Sequence, residues 1–206
     1  MKKLIRRFTE AERMVHWAVA FLFFAAGLSG LAMFHPSLFF FSNLFGGGSW
    51  TRILHPFMGL LMFLFFARLA YQHWHENKLT DADREWSKQA SALLMGQDPV
   101  MPPAGKFNAG QKRMFWTLVS CMAVLVITGL MVWRPWLDVY VPIPAQRLAL
   151  LLHAAGAAIL VITVIGHVYM AIWTKGVMTA MTRGYVSARW ARQNHPLWYQ
   201  EMTGEK

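Results

Sequence analysis

The sequence predicts an all-α integral membrane protein, built as a bundle of four transmembrane helices. Composition is the first observation: 56% of the 206 residues are hydrophobic and only 15% are charged, whereas soluble proteins carry about 25% charged residues. The second observation is a set of four apolar runs, each long enough to cross a hydrocarbon core about 30 Å thick. We predict a single membrane domain, 1–206, with spans at about 14–34, 52–74, 112–133 and 147–174.

An aromatic connector separates the first two spans. A basic lead-in precedes the first span, and His35-Pro36 ends it. The connector that follows is rich in phenylalanine and glycine, a composition that suits a membrane interface. The second span has His55-Pro56 near its start. We expect this proline in the first helical turn, where it removes no helical hydrogen bond.

Polar segments flank the third and fourth spans. The loop 76–111 is polar and is expected to contain a short amphipathic helix around 83–95. Proline-rich turn signals separate the third span from the fourth, and a basic, aromatic tail, 176–206, follows. The single cysteine, Cys121, lies in an apolar run. The chain by itself therefore builds neither a disulfide framework nor a cysteine-ligated cluster.

The distribution of lysine and arginine predicts the orientation in the membrane. The N-terminus, the loop 76–111 and the tail hold nearly all of these residues, and the opposite connectors hold only Arg52, Arg134 and Arg147. Because positive residues collect on the cytoplasmic side, both termini should be cytoplasmic. The same rule accounts for the net charge of +10 without a nucleic-acid partner.

The fourth span contains two histidines, His153 and His167. An ionisable residue in a membrane span is costly and therefore indicates a functional site. The two positions are fourteen residues apart, just under four helical turns, so both side chains point to nearly the same face. At the helical rise they lie roughly 21 Å apart along the axis, one near each edge of the membrane.

The predicted topology sorts four histidines into two pairs by depth. His55 and His153 lie at the outer side, and His16 and His167 lie at the cytoplasmic side. Two imidazoles that face each other across a bundle provide the axial ligands of a six-coordinate haem iron. A single histidine in a span is about as often an interhelical hydrogen-bonding group. Two pairs matched in depth favour two haem sites.

Neighbouring residues suit a flat macrocycle with two propionates. Small residues lie beside the histidines, although such residues also serve helix packing; they are Gly27, Gly30, Gly59, Ala154, Ala155, Gly156 and Gly166. Candidate propionate partners are Arg52 and Arg147 on the outer side and Arg68 on the inner side. Arg68 is equally placed to reach the interface with its charged end. The other histidines are expected to be interfacial or solvated; they are His35, His73, His75 and His195.

Motifs spread in order over nearly the whole chain carry a resemblance to a known family. They are His16-Trp17, RILHPF (52–57), KFNAGQK (106–112), MFW (114–116), TG with WRP (128–135), LLHAA (151–155), HVYMAIWTKG (167–176), VSARWA and HPLWY. On these motifs, the sequence resembles the cytochrome b (gamma) subunit of membrane-bound respiratory formate dehydrogenase.

The resemblance implies a four-span dihaem cytochrome b bundle in the bacterial inner membrane, with two haems b. His55 and His153 would hold the periplasm-side haem, and His16 and His167 the cytoplasm-side haem, in agreement with the pairing by depth. A quinone, either menaquinone or ubiquinone, would be reduced near the cytoplasm-side haem; the residues implied there are Asn108, Gly110, Gln111 and His167. The same Asn-Ala-Gly-Gln segment also suits a polar cap for the third span.

The resemblance further implies partners. These are an iron–sulfur beta subunit and a molybdenum or tungsten alpha subunit in the periplasm, so formate oxidation would not take place on this chain. Three other interpretations stay open from the sequence: the cytochrome b subunit of a membrane hydrogenase, a haem-free membrane anchor, and a transporter or proton channel. The lack of Asp or Glu deep in any predicted span disfavours the last.

Overall fold

The computed structural model describes residues 3–97, 102–134 and 136–204, without the side chains at 90, 91, 93 and 94. Its helices are α1 (Glu10–Phe34), α2 (Gly48–His73), α3 (Asp81–Leu94), α4 (Ala109–Met131), α5 (Ile143–Trp173), α6 (Val177–Arg183), α7 (Ala188–Asn194) and α8 (Pro196–Thr203). Within this part of the chain, α1, α2, α4 and α5 are long and apolar enough to cross a membrane. The predicted class, an all-α fold with four transmembrane helices, is confirmed.

Local sequence signals set the starts of the first two long helices. Helix α1 begins at Glu10 because Thr9 and Glu12 form a capping box: the Thr9 N–H donates to the Glu12 carboxylate at 2.6 Å, and the Glu12 N–H donates to the Thr9 hydroxyl at 3.2 Å. Helix α2 begins at Gly48, after two glycines in the left-handed region, Gly46 (φ 84°) and Gly47 (φ 96°).

This early start of α2 corrects one expectation. Pro56 lies inside the helix and not in its first turn. Because proline has no N–H, the carbonyl of Arg52 four residues earlier receives no helical hydrogen bond from it. The connector before α2 is a 3-10 segment, Pro36–Phe45, and a second short 3-10 segment, Asp138–Tyr140, precedes α5. The amphipathic helix expected around 83–95 is α3.

Contacts divide the chain into two compact units. The first, here called the bundle unit, contains Met14–Ala70 and Thr117–Ile165. Each of the four long helices contributes to its core, which comprises Leu22, Met62, Cys121, Met122 and Leu160. Large apolar side chains remain exposed on the outside, as expected of a surface that faces lipid; examples are Phe21, Leu64, Ile127, Leu151 and Ile162.

The second unit, here called the terminal unit, contains Met1–Arg13, Tyr71–Trp116 and Gly166–Lys206. Strand β1 (Leu4–Arg6) pairs antiparallel with β2 (Tyr185–Ser187), with Ile5 opposite Val186. The core beside this ribbon comprises Ile5, Ala180, Val186, Ala191 and Trp198. The tail was predicted only to be basic and aromatic. The two strands and helices α6, α7 and α8 were not predicted from the sequence.

Candidate functional site

The outer histidines meet inside the bundle unit. His55 comes from α2 and His153 from α5, and both imidazoles are partly buried. Their ring centroids are 6.2 Å apart, and the ring planes are inclined at 68°. The structure thus brings together the two residues that the sequence analysis paired by depth.

A buried hydroxyl contacts each of these imidazoles. The Oγ of Ser29 on α1 lies 2.9 Å from Nδ1 of His55, and the Oγ1 of Thr128 on α4 lies 2.9 Å from Nδ1 of His153. Ser29 is completely buried and Thr128 is 4% exposed. Since Nδ1 is engaged on both rings, Nε2 is the nitrogen that remains for a further bond.

The spacing of the two rings fits one iron between them. A metal–imidazole bond is about 2 Å long and a ring centroid lies roughly 1 Å beyond its nitrogen, so two imidazoles on opposite sides of one metal have centroids about 6 Å apart. The described residues contain no cluster of three or more His, Cys, Asp or Glu that could hold a bare metal ion. Two imidazoles without further protein ligands suit haem, whose macrocycle supplies the other four bonds.

The inner histidines stay a prediction. His16 lies in the bundle unit, and His167 lies in the terminal unit. The imidazole of His16 packs edge-on against Trp17, with centroids 5.4 Å apart. Both inner histidines are partly buried.

The small residues near the predicted ligands have different surroundings. A Cβ added at Gly30 would lie 3.3 Å from Cε1 of His55, and one at Gly129 would lie 3.3 Å from Cε1 of His153. A Cβ at Gly156 would instead meet Val124 at 3.3 Å, so this glycine serves helix packing. Added Cβ atoms at Gly27, Gly59 and Gly166 would have no neighbouring heavy atom within 4 Å.

The predicted propionate partners are exposed on the bundle unit. These residues are Arg52, Arg68 and Arg147. Arg52 and His35 help to line a cavity of about 520 Å³. The roles of these arginines stay predictions.

The Asn-Ala-Gly-Gln segment forms a capping box at the start of α4. The Asn108 N–H donates to Oε1 of Gln111 at 3.0 Å, and the Gln111 N–H donates to Oδ1 of Asn108 at 2.9 Å. This reciprocal arrangement satisfies two N–H groups of the first helical turn. It uses the two amide oxygens, while the amide NH2 groups take no part in it.

A cavity adjoins this capping box within the terminal unit. Its volume is about 450 Å³, and its lining includes Trp86, Asn108, Lys112 and Asp83. Lys112 and Asp83 form an ion pair of 2.8 Å with both side chains nearly buried. Burial raises the pKa of Asp83, but the hydrogen bonds from Lys112 and Thr80 outweigh it, and the net pKa is lowered. The predicted quinone residue Gly110 faces the Trp86 indole, since an added Cβ would lie 3.5 Å from it.

Two histidines that were expected to be interfacial or solvated are enclosed. His195 is 3% exposed, and its Nδ1–H donates to the Gly105 carbonyl at 2.7 Å. Burial, together with the nearby Arg7 charge, lowers the pKa of His195 to about 4. His73 lies between two carboxylates, 2.7 Å from Glu76 and 3.4 Å from Glu12. His195 is therefore not solvated, because its imidazole packs against a segment that is distant in sequence. An interfacial position of His73, at the end of α2, stays a prediction.

The sequence analysis missed Ser29 and Thr128 as contacts of the histidines. One signal was present: each is followed by glycine, and each precedes the next outer histidine by 26 or 25 positions. A serine or threonine in an apolar helix commonly bonds only to its own backbone. The sequence pattern alone therefore did not single them out.

Comparison with known proteins identifies the family. The sequence model of the prokaryotic cytochrome b561 family matches residues 7–184. The chain belongs to this family. It is therefore a multi-pass cytochrome b of the bacterial inner membrane, and a cytochrome b carries haem b.

Relatives within the family narrow the assignment further. The chain is 36% identical over 198 residues to the formate dehydrogenase cytochrome b556(fdo) subunit of Escherichia coli K12, covering 96% of this chain and 93% of the relative. It is 39% identical over 200 residues to the nitrate-inducible formate dehydrogenase cytochrome b556(Fdn) subunit of the same strain, covering 97% and 92%. The identity is 38% over 199 residues with the Haemophilus influenzae formate dehydrogenase cytochrome b556 subunit, covering 97% and 83%. The chain belongs with these subunits, as its motifs indicated.

Proposed function

We propose that this cytochrome b transfers electrons across the inner membrane to a quinone, as the membrane subunit of a formate dehydrogenase with two haems b. The observation that carries the proposal is the pair of outer imidazoles. Their centroids are 6.2 Å apart, and Nδ1 of each is bonded to a buried hydroxyl. Two imidazoles at this spacing, each with Nε2 remaining, would suit holding one haem iron.

The residues divide into an outer and an inner ligand pair. His55 and His153 would hold the periplasm-side haem through Nε2, and His16 and His167 would hold the cytoplasm-side haem. When bound, the two haems supply one-electron carriers at two depths. His153 and His167 lie on the same helix, α5, and fourteen residues of helix correspond to roughly 21 Å along its axis.

The orientation follows from the distribution of charge. With both termini in the cytoplasm, the outer histidines face the periplasm. Electron movement from the periplasm to the cytoplasmic side works against a potential that is negative inside, at about 2.3 kcal/mol per charge per 100 mV. The redox difference between formate and quinone would supply this free energy.

The partners that fit this orientation are periplasmic. An iron–sulfur subunit would deliver electrons at the outer pair, and a molybdenum or tungsten subunit would oxidise formate. The three relatives are formate dehydrogenase subunits by name, which supports such a complex over a hydrogenase.

For the quinone, the proposed contacts are Asn108, Gly110, Gln111 and His167, and the quinone is menaquinone or ubiquinone. The amide NH2 groups of Asn108 and Gln111 lie outside the capping box and are suited to donate to a quinone carbonyl. Of these four residues, Asn108 lines the adjoining cavity of about 450 Å³, a volume within the range of small-molecule sites.

The haem content tests the proposal directly. A dithionite-reduced minus oxidised optical spectrum of the purified complex, with haem quantification, should give two haems b per copy of this chain. A value of one or none would contradict the dihaem assignment. In addition, His55→Ala and His153→Ala should remove the same haem signal, whereas loss of two different signals would contradict the pairing.

Asn108→Asp separates the capping role from the quinone role. Aspartate caps a helix as well as asparagine does, but it replaces the NH2 donor by an acceptor. We expect formate-dependent quinone reduction to fall about tenfold, since one lost hydrogen bond is worth roughly 1.4 kcal/mol. Gln111→Glu, which also retains the capping oxygen, is the matched second variant. Normal quinone reduction in both variants would leave these residues with the capping role alone.

A further inference from the structure

We propose that two hydroxyl–glycine pairs, Ser29-Gly30 and Thr128-Gly129, act as positioning residues that fix the proton and the orientation of the outer imidazoles. Ser29-Gly30 on α1 serves His55 on α2, and Thr128-Gly129 on α4 serves His153 on α5. The inference rests on the proposed function, in which these histidines bind haem iron.

The hydroxyl protons decide the tautomer. Each hydroxyl has a single proton and two lone pairs. The Ser29 hydroxyl donates its proton to the Ala26 carbonyl at 2.9 Å. A lone pair therefore faces Nδ1 of His55 at 2.9 Å, so Nδ1 carries the hydrogen and donates it. With Nδ1 protonated, a neutral imidazole has its free lone pair on Nε2, where a metal binds.

The second histidine has the same arrangement. The Thr128 hydroxyl donates to the Val124 carbonyl at 2.6 Å, in its own helix. With its proton used in this way, the hydroxyl oxygen is left to accept a hydrogen bond from Nδ1 of His153, 2.9 Å away. The helix pairs α1–α2 and α4–α5 thus show the same hydrogen-bond pattern. In each pair the hydroxyl residue lies on the first helix and the histidine on the second.

The glycines provide an independent observation. The 3.3 Å approach of a built Cβ to Cε1 of each imidazole is tighter than most real contacts, so a methyl group would push the ring away. The ring edge therefore lies directly on the helix backbone at Gly30 and at Gly129. Hydroxyl and glycine together hold each ring at two points, which fixes its rotation about the Cβ–Cγ bond.

A purely structural role for the hydroxyls makes a different prediction. Serine and threonine in membrane helices often bond only to a carbonyl of their own helix. Thr51 in the bundle unit is completely buried and bonds to backbone carbonyls: its hydroxyl lies 2.9 Å from the Gly47 carbonyl and 3.5 Å from the Ser42 carbonyl. Thr51→Val is therefore the matched control for Thr128→Val: the change of shape is the same, both positions are buried, and the hydroxyl that is lost bonds to backbone carbonyls.

The experiment uses the whole complex with its haems. Midpoint potentials are measured by optical redox titration of Ser29→Ala, Thr128→Val and Thr51→Val, and low-temperature EPR spectra are recorded for the ferric haems. The hydrogen bond from Nδ1–H to the hydroxyl oxygen increases the basicity of the imidazole ligand and favours ferric iron. Its loss should shift the outer haem to a more positive potential in the first two variants, and leave the inner haem unchanged.

The EPR spectrum reports the orientation of the rings. Imidazole planes inclined at 68° should give a strongly anisotropic low-spin signal. This signal should change in Ser29→Ala and Thr128→Val, and also in Gly30→Ala and Gly129→Ala, which displace the rings. Ser29→Thr and Thr128→Ser retain the hydroxyl and should restore the potential.

The outcomes separate this inference from the proposed function. If His55→Ala and His153→Ala remove the outer haem while Ser29→Ala and Thr128→Val change neither potential nor EPR spectrum, the positioning role is overturned and haem ligation stands. An equal shift in Thr51→Val also overturns it. If the histidine variants retain both haems, the proposed ligation itself has failed.

Discussion

The bundle unit and the terminal unit bury different kinds of polar side chain. In the described part of the bundle unit, the buried polar residues are all hydroxyls: Ser29, Ser42, Thr51 and Thr128. In the terminal unit they are charged, amide or imidazole groups: Arg7, Asn77, Asp83, Lys112 and His195. A lipid-facing bundle penalises buried charge severely. A hydroxyl is tolerated because it satisfies its own proton on the helix backbone and keeps a lone pair for a second task.

Arg7 shows how the terminal unit manages a buried charge. It is 6% exposed and lies over three aromatic rings, at 4.9 Å from Trp190 and 5.6 Å from Phe8 and Trp198. Its Nη2 donates to the Lys106 carbonyl at 2.8 Å. Burial lowers the pKa of Arg7 to about 10. Cation–π contacts and one backbone acceptor thus hold a cation between the N-terminal and C-terminal segments.

The largest contrast is expected between two histidines, one in each unit. With the two haems proposed above, His153→Ala should remove one of them, because it deletes one of the two imidazoles proposed to hold the outer haem. His195→Ala should retain both haems and weaken the terminal unit instead. Haem quantification and hydrogen exchange on the two variants measure this contrast. Haem loss from His195→Ala would contradict the expected contrast between the two histidines.

The next effect concerns Arg7. Arg7→Leu removes the cation–π contacts and the bond to Lys106, and should destabilise the terminal unit by about 2–4 kcal/mol. Faster hydrogen exchange at the backbone amides of β1, β2 and α7 is the measurement, with the exposed Arg189→Leu as the control. An unchanged haem spectrum should accompany it. Hydrogen-exchange protection equal to that of the wild type would show that the buried Arg7 cation does not stabilise the terminal unit.

The third prediction is a dependence on pH that is confined to the terminal unit. The pKa of His195 is lowered to about 4 in the folded protein, so the unfolded chain binds more protons between about pH 6.5 and 4. Stability should therefore fall as the pH is lowered through this window, by up to about 3 kcal/mol. Proteolysis of the tail at stepped pH measures it, and His195→Gln should remove this part of the dependence.

Acidic groups act in a lower window. The pKa of Asp83 is lowered, so its contribution is present above its ordinary pKa and is lost as the pH falls through the folded value. Cleavage that increases only below about pH 4 would assign the acid sensitivity to carboxylates such as Asp83 and not to His195.

The smallest effect tests the tolerance of the bundle for hydroxyls. Cys121 is buried in the core of the bundle unit. Cys121→Ser should cost less than about 1 kcal/mol, because the new hydroxyl can donate to a carbonyl of its own helix. Cys121→Asp, of similar size but charged, should prevent assembly of the haem-containing complex. The yield of haem-containing complex compares the two variants, and thermal midpoints followed by haem absorbance measure the cost of Cys121→Ser. Equal yields from both variants would contradict the distinction between the units.

Much of the membrane part was predictable from the sequence. Apolar length identified four spanning helices, and the sequence correctly placed His153 and His167 on one long helix. The bounds were less accurate at helix starts, since the Thr9–Glu12 capping box and the glycines before α2 add helical turns. The sequence allowed two roles for Asn108 to Gln111, a helix cap and a quinone contact. The structure shows the hydrogen bonds of the cap.

The terminal unit was not predictable in the same way. Its ribbon pairs Ile5 with Val186, and Arg7 contacts Trp190 and Trp198, across almost the whole length of the chain. Three-residue strands carry too little periodicity to be recognised. His195 was expected to be interfacial or solvated, and only the fold shows that its side chain is enclosed.

The sequence by itself determined the membrane class, the number of spans and the number of residues that separate His153 from His167. These properties depend on hydrophobic length and helical rise, which are local. The tertiary structure decided which side chains meet Nδ1 of His55 and His153, and how a buried arginine is accommodated. Such contacts depend on helix rotation and on packing between distant segments, and neither is encoded in the spacing of residues along one helix.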